Sequence, residues 1–153
     1  MRLNKYLTIA LLGLAVVFSA CSKKADKRFD TAASTDAAAK YVGEWTKLEV
    51  ATETVTTVAG TVTLSEYKDE NGNIVSSVAN ILVTSEGSDD RSDVCNIAHA
   101  NNGFVFYNNA ATTFGAKFSG EIDAAGTLTM QYQVEEQAGR SKKVFKYNFT
   151  GKK

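Results

Sequence analysis

From residue 113 onward, apolar side chains recur at every second position. Phe114, Ala116, Phe118, Gly120 and Ile122 alternate with Thr113, Gly115, Lys117, Ser119 and Glu121. Leu128, Met130, Tyr132 and Val134 alternate with Thr127, Thr129, Gln131, Gln133 and Glu135. Phe145, Tyr147 and Phe149 alternate with Val144, Lys146, Asn148 and Thr150. A repeat of two is the repeat of a strand, and one greasy face opposite one polar face is a strand buried on one side only. Three such segments in a row exclude a helical protein and point to antiparallel sheet.

The same grain, less clean, extends back through Glu44–Thr57, Thr61–Lys68, Ile74–Thr84, Val94–Ala98 and Phe104–Tyr107. Between the runs lie Asp69-Glu70-Asn71-Gly72-Asn73, Asn101-Asn102-Gly103, Asn108-Asn109 and Asp123-Ala124-Ala125-Gly126, residues that tolerate the positive φ of tight turns. No intervening segment is long and helically periodic enough to be a crossover helix, which a parallel sheet requires. The expectation is an all-β domain over residues 41–153 with eight antiparallel strands, folded as a sandwich or closed as a barrel. Closure removes exposed edges, and eight strands leave an interior that side chains fill or one small ligand occupies.

The N-terminal segment has a different character. Arg2 and Lys5 precede the fourteen-residue apolar run Leu7–Ala20, which ends in the small pair Ser19-Ala20. A membrane-spanning helix needs about 20 apolar residues, so residues 1–20 read as a removable signal peptide. Cys21 follows directly. Phe18-Ser19-Ala20-Cys21 resembles the bacterial lipobox, although Phe stands where that motif more often has Leu. The resemblance implies cleavage before Cys21 and acylation of its sulfur, anchoring the chain to a membrane that it does not cross. An ordinary secreted protein cut after Ala20 is the alternative. One acyl chain holds marginally, and two or three make the attachment effectively permanent.

Residues 21–40 carry Lys23, Lys24, Lys27 and Arg28 and little apolar bulk except Phe29, the composition of a flexible tether. Thr35-Asp36 ahead of Ala37–Lys40 is the signature of one short capped helical turn. The basic cluster is either a solvated linker or a partner for anionic headgroups.

Charge narrows the function. The chain has 17 basic and 17 acidic side chains, and beyond residue 20 the acids outnumber the bases 17 to 15. Nucleic-acid binding needs a basic surface, so that class is excluded.

Tyr41-Val42-Gly43-Glu44-Trp45 places a Gly-x-Trp at the start of the first strand. Together with Phe118–Leu128 and the closing Gly151-Lys152-Lys153, this resembles the small calycin-like, lipocalin-like β-barrel lipoproteins of Gram-negative bacteria, over about Tyr41 to Lys153. The resemblance implies an up-and-down eight-stranded barrel whose closed end is formed by the Gly43 and Trp45 motif. It also implies a basic side chain over the tryptophan, for which Lys142, Lys143 and Lys146 are the candidates. Trp45 has the opposite parity from Leu48 and Val50, so either a bulge separates them or Trp45 lies outside.

Catalytic groups are scarce. His99 is the sole histidine and has no neighbouring nucleophile motif, and no catalytic residue is assigned. With Cys21 acylated, Cys95 has no intrachain partner and reads as a buried apolar group. One Cys and one His fall short of a zinc set, so no metal or cofactor is expected. Glu86 with Asp89, Asp90 and Asp93 lacks calcium-loop spacing, Asp69–Asn73 reads as a hairpin turn, and Glu135-Glu136 as the wet end of a strand.

The aromatic residues Phe104, Phe106, Phe114, Phe118, Tyr132, Phe145, Tyr147 and Phe149 either fill the core or line a pocket, with small residues such as Ala79, Ala116 and Gly120 leaving room. Two non-enzymatic functions follow. One is a binding protein whose barrel takes a small apolar or amphipathic ligand. The other is an interaction or assembly module that meets an envelope protein or glycan through the segments Glu86–Asp93 and Asn101–Asn109. The expected location is the outer membrane, on the periplasmic face because Ser22-Lys23-Lys24 follows the cysteine, with surface exposure the alternative.

Overall fold

The computed structural model describes residues 32–115 and 117–153. Residues 1–20, read as a signal peptide, Cys21, the part of the expected tether up to residue 31, and Ala116 lie outside the described residues. A four-residue helical turn, α1 (Ala33–Asp36), precedes eight strands: β1 (Ala39–Glu49), β2 (Thr54–Lys68), β3 (Ile74–Ser85), β4 (Arg91–Ala100), β5 (Gly103–Tyr107), β6 (Ser119–Ile122), β7 (Thr127–Ala138) and β8 (Ser141–Lys152). Each strand pairs antiparallel with its neighbours in sequence, and β8 pairs back with β1, so the sheet closes into a ring. The all-β, eight-stranded antiparallel reading holds.

Turn chemistry accounts for the order. Asp69 and Asp123 solve the same problem in the same way. Asp69 Oδ1 accepts from the backbone N–H of Asn71 and Asn73, and Asp123 Oδ1 from those of Ala125 and Thr127, at 2.8–2.9 Å. Gly72 and Gly126 take the positive φ that each turn needs, +82° and +77°. Asn101 and Asn102 form a two-residue hairpin turn with φ of 46° and 65°, the pattern that asparagine favours.

Three boundaries differ from the sequence reading. Glu44–Thr57 is not one strand: the chain turns at residues 50–53, with Glu53 at φ 55°, and β2 runs unbroken through Gly60. The alternation from Thr113 to Ile122 is strand only from Ser119. Phe114 and Phe118 stand in the β5–β6 connection, where Gly115 at φ +87° breaks the extended path. The helical turn lies at Ala33–Asp36 and not at residues 37–40, and Ala33, Ser34 and Ala37 are buried inside the stretch read as tether.

Parity then fixes the core. Trp45 is buried, while Leu48 and Val50 lie on the outer face, and β1 stays in regular register with β2 from end to end and with β8 over Val42–Glu49. No bulge is needed. Tyr41, Val62, Leu64, Ala79, Ile81, Ile97 and Leu128 pack toward the end that carries α1, with Trp45, Phe106, Met130 and Phe149 beyond them. Fully burying each such side chain contributes about 1.5–3 kcal/mol.

Glycines make room for the rings. A Cβ at Gly120 would lie 2.1 Å from the Phe106 ring and one at Gly151 2.5 Å from the Phe149 ring, while one at Gly60 would meet both the Thr84 carbonyl oxygen (2.3 Å) and the Trp45 indole (2.5 Å). Gly43 meets backbone instead: its Cβ would fall 2.0 Å from the Thr150 carbonyl oxygen, across the β1–β8 seam. In the Gly-x-Trp motif, glycine lets the seam close and tryptophan fills the space behind it.

Candidate functional site

The two ends of the ring are unlike. At one end α1 lies against β2, β3 and β4. Ser34 Oγ donates to the Val75 carbonyl (3.2 Å), Thr35 Oγ1 to Glu66 (2.8 Å) and Tyr41 Oη to the Ala37 carbonyl (3.1 Å). His99, at the end of β4, places Nε2 2.9 Å from Asp36 Oδ2 and rests its ring on Phe104, 5.0 Å between centroids. The sole histidine therefore ties the helical turn to the wall.

The other end, the mouth, is where aromatic residues gather. Phe114 stacks on Phe118 (5.0 Å, 14°) and Tyr132 on Tyr147 (4.7 Å, 7°), while Trp45 meets Tyr132 edge-on (5.7 Å) and Phe149 at a tilt (5.0 Å). Trp45 Nε1 donates to the Thr84 carbonyl (3.1 Å), which satisfies the one polar atom of the indole. Phe145 is buried and Tyr147 half-buried here, whereas Phe104, also half-buried, lies at the capped end beside His99.

Two cations sit over these rings. Lys47 Nζ lies 4.0 Å from the Phe145 centroid and 5.3 Å from that of Tyr147. The Arg91 guanidinium lies 4.3 Å from the centroid of Phe114 and 5.4 Å from that of Tyr132. Partial burial disfavours the Lys47 charge, but its hydrogen bond to Tyr147 and the nearby Glu136 and Glu49 outweigh that and raise its pKa. Burial pushes the Tyr132 phenol up to about 12. Sequence reasoning missed both cations. The signal for Lys47 was present: it shares the parity of Trp45 and so points inward.

The lysines expected over Trp45 serve elsewhere. Lys143 pairs with Glu49 (2.7 Å), holding that carboxyl below its ordinary range, Lys142 pairs with Glu135 (3.2 Å), and Lys146 is exposed.

The β5–β6 connection folds over the mouth and is pinned to β4. Asp93 Oδ2 accepts from the Thr113 N–H (2.6 Å) and hydroxyl (2.8 Å), Arg91 donates to the Thr113 carbonyl, and Thr112 Oγ1 donates to the Val94 carbonyl (2.7 Å). Asp93 is thus a loop clamp. Among the described residues no three of His, Cys, Asp and Glu converge on a metal position. Cys95 is buried, and burial raises its thiol to about 12, which keeps it protonated and inert.

Within the mouth, Trp45, Lys47, Val58, Tyr132 and Tyr147 border a cavity of about 200 Å3. Pockets for drug-sized ligands run from about 300 to 1,000 Å3. The outer wall of β5–β8 carries a larger concavity of about 580 Å3 and a smaller one of about 170 Å3. The two segments assigned to partner contact do not form one surface: residues 86–90 and 108–109 lie at the mouth, whereas the Asn101-Asn102 turn lies at the capped end. No family model, curated protein or solved structure matches the chain.

Proposed function

We propose that the chain is a lipid-anchored, non-enzymatic interaction module of the bacterial envelope, a calycin-like barrel that meets its partner with its exterior. The observation that carries this reading is the filled interior. Trp45, Phe106, Phe114, Phe118, Tyr132 and Phe149 occupy the ring in mutual contact, and the cavity left beside them is about 200 Å3. The anchor rests on Cys21 behind its apolar run, and the outer-membrane, periplasmic placement on Ser22-Lys23-Lys24.

Native mass spectrometry of the chain extracted from its own membranes tests the exterior reading. The expected spectrum shows the acylated chain without a retained small molecule, and a stoichiometric co-purifying ligand overturns it. Labelling with an alkyne fatty acid tests the anchor: Cys21→Ser is expected to abolish the label and release the chain from membranes.

A second reading, a small amphipathic ligand at the mouth, is favoured by the Lys47 ammonium set among aromatic walls. Titration of the sole tryptophan's fluorescence with short-chain fatty acids checks it, since Trp45 borders that cavity.

A further inference from the structure

The outer concavity of β5–β8 owes its chemistry to strand parity. Phe106, Gly120, Met130 and Phe149 share the inward face, which turns Tyr107, Ser119, Thr129, Gln131, Asn148 and Thr150 outward. The ladders set these in opposed pairs: Ser119 faces Gln131, Gln131 faces Asn148, and Thr129 faces Thr150. Directly paired residues on one face stand about 4.5–5.5 Å apart, so the wall presents a grid of hydroxyls and amides. Gln131 Nε2 donates to Ser119 Oγ (3.1 Å), which fixes the orientation of that amide. The smaller hollow, beside Lys117, Gln133 and Lys146, shares Gln131 and Asn148 with the larger one, so the two form a single trough.

We propose that this trough binds a glycan chain, which deepens, and rests on, the reading that the partner is met outside the ring. Sugar hydroxyls both donate and accept, and the amides and hydroxyls of the grid do the same. Tyr107, 49% exposed, and Val105 supply an apolar wall for the C–H face of a sugar ring. Glu121 is the one charged group of the larger hollow, and the trough's two lysines, Lys117 and Lys146, both lie in the smaller one, so a ligand seated along the grid meets hydroxyls and amides and not a row of cations. A protein partner would want an apolar centre with several aromatic anchors, and Tyr107 stands alone in that role. Strand addition is closed to it along the grid, because residues 105–107, 119–122, 128–131 and 148–150 are each paired on both sides. The opposite wall differs: Thr61 and Thr84 bond each other (2.8 Å) among the exposed Val42, Val55 and Leu82.

The test is a titration of the 15N-labelled full chain with chitotetraose, cellotetraose and maltotetraose, read by amide shifts. At least one is expected to move residues 105–107, 119–121, 129–133 and 146–150 together. Gln131→Ala, Asn148→Ala and Tyr107→Ala should each weaken that binding roughly tenfold or more with unchanged circular dichroism, and Thr61→Ala should leave it intact. Silence with all three sugars at about 10 mM overturns the proposal, as do shifts confined to the mouth around Lys47 and Tyr147. Capture of an envelope protein by a photo-crosslinker at position 131, with no sugar response, also overturns it. In each of these cases an empty interior in the mass spectrum leaves the exterior reading standing, so the two fail separately.

Discussion

At the capped end, α1 is tied down by short polar links from Ser34, Thr35, Asp36 and Tyr41 to three strands and to its own backbone. At the mouth, the segment 108–118 is clamped through Asp93 and Arg91 and rests on stacked rings, with cations above the aromatic faces. One end is closed by hydrogen bonds between small groups and the other by large apolar surfaces. Hydrogen bonds contribute about 0.5–1.5 kcal/mol each, whereas a buried ring contributes about twice that. The contrast teaches that a ring's plug and its lid need not use the same force.

Substitutions can break that contrast. Phe114→Ala removes a ring that touches Phe118 and Tyr132 and should cost about 3–5 kcal/mol in denaturant unfolding, the largest effect expected. A loss below about 1 kcal/mol would show that the lid is peripheral. Alkaline stability comes next. Tyr132 holds its proton to about 12, whereas an unfolded phenol ionises near 10. Its contribution is complete below pH 10 and is lost as pH rises from 10 towards 12, by about 2 kcal/mol, and Tyr132→Phe should flatten that part of the profile. Tyr41, also raised to about 12 by burial, adds the same slope at the capped end.

Smaller effects sharpen the comparison. Asp36→Ala severs the link to His99 and should cost about 1 kcal/mol, while amide exchange quickens around residues 33–41 and stays unchanged at the mouth. Lys47→Met keeps the length but not the charge over Phe145 and Tyr147, and should cost about 0.5 kcal/mol. If Lys47→Met instead costs as much as Phe114→Ala, electrostatics and not apolar packing holds the mouth.

Most of the ring was legible because alternation reports which face is buried and turns such as Asp123–Gly126 mark where strands end, whereas the register was not. The misreadings have physical causes. Val50-Ala51-Thr52-Glu53 turns without Gly, Pro, Asn or Asp, so nothing local announced it. The gap left between Thr57 and Thr61 is strand as well: Gly60 sits inside β2, where the Thr84 carbonyl and the Trp45 indole leave no room for a side chain. Phe114 and Phe118 mimic a strand because two stacked rings in a loop also fall at even spacing. The aromatic candidates were legible as a set, but their division between core and mouth depended on closure. The outer trough was visible only as the polar half of the alternation, and no single-strand pattern shows that three such halves lie side by side.

Seating the largest rings over bare backbone ties together positions far apart in the chain. Phe106 is bound to the smallness of Gly120, whereas Gly60 is held by the Thr84 carbonyl as well as by the Trp45 indole. A descendant that enlarges Gly120 is obliged to shrink Phe106, so those two sites should drift in step or not at all. Each such couple is a joint inheritance that neither member can alter alone.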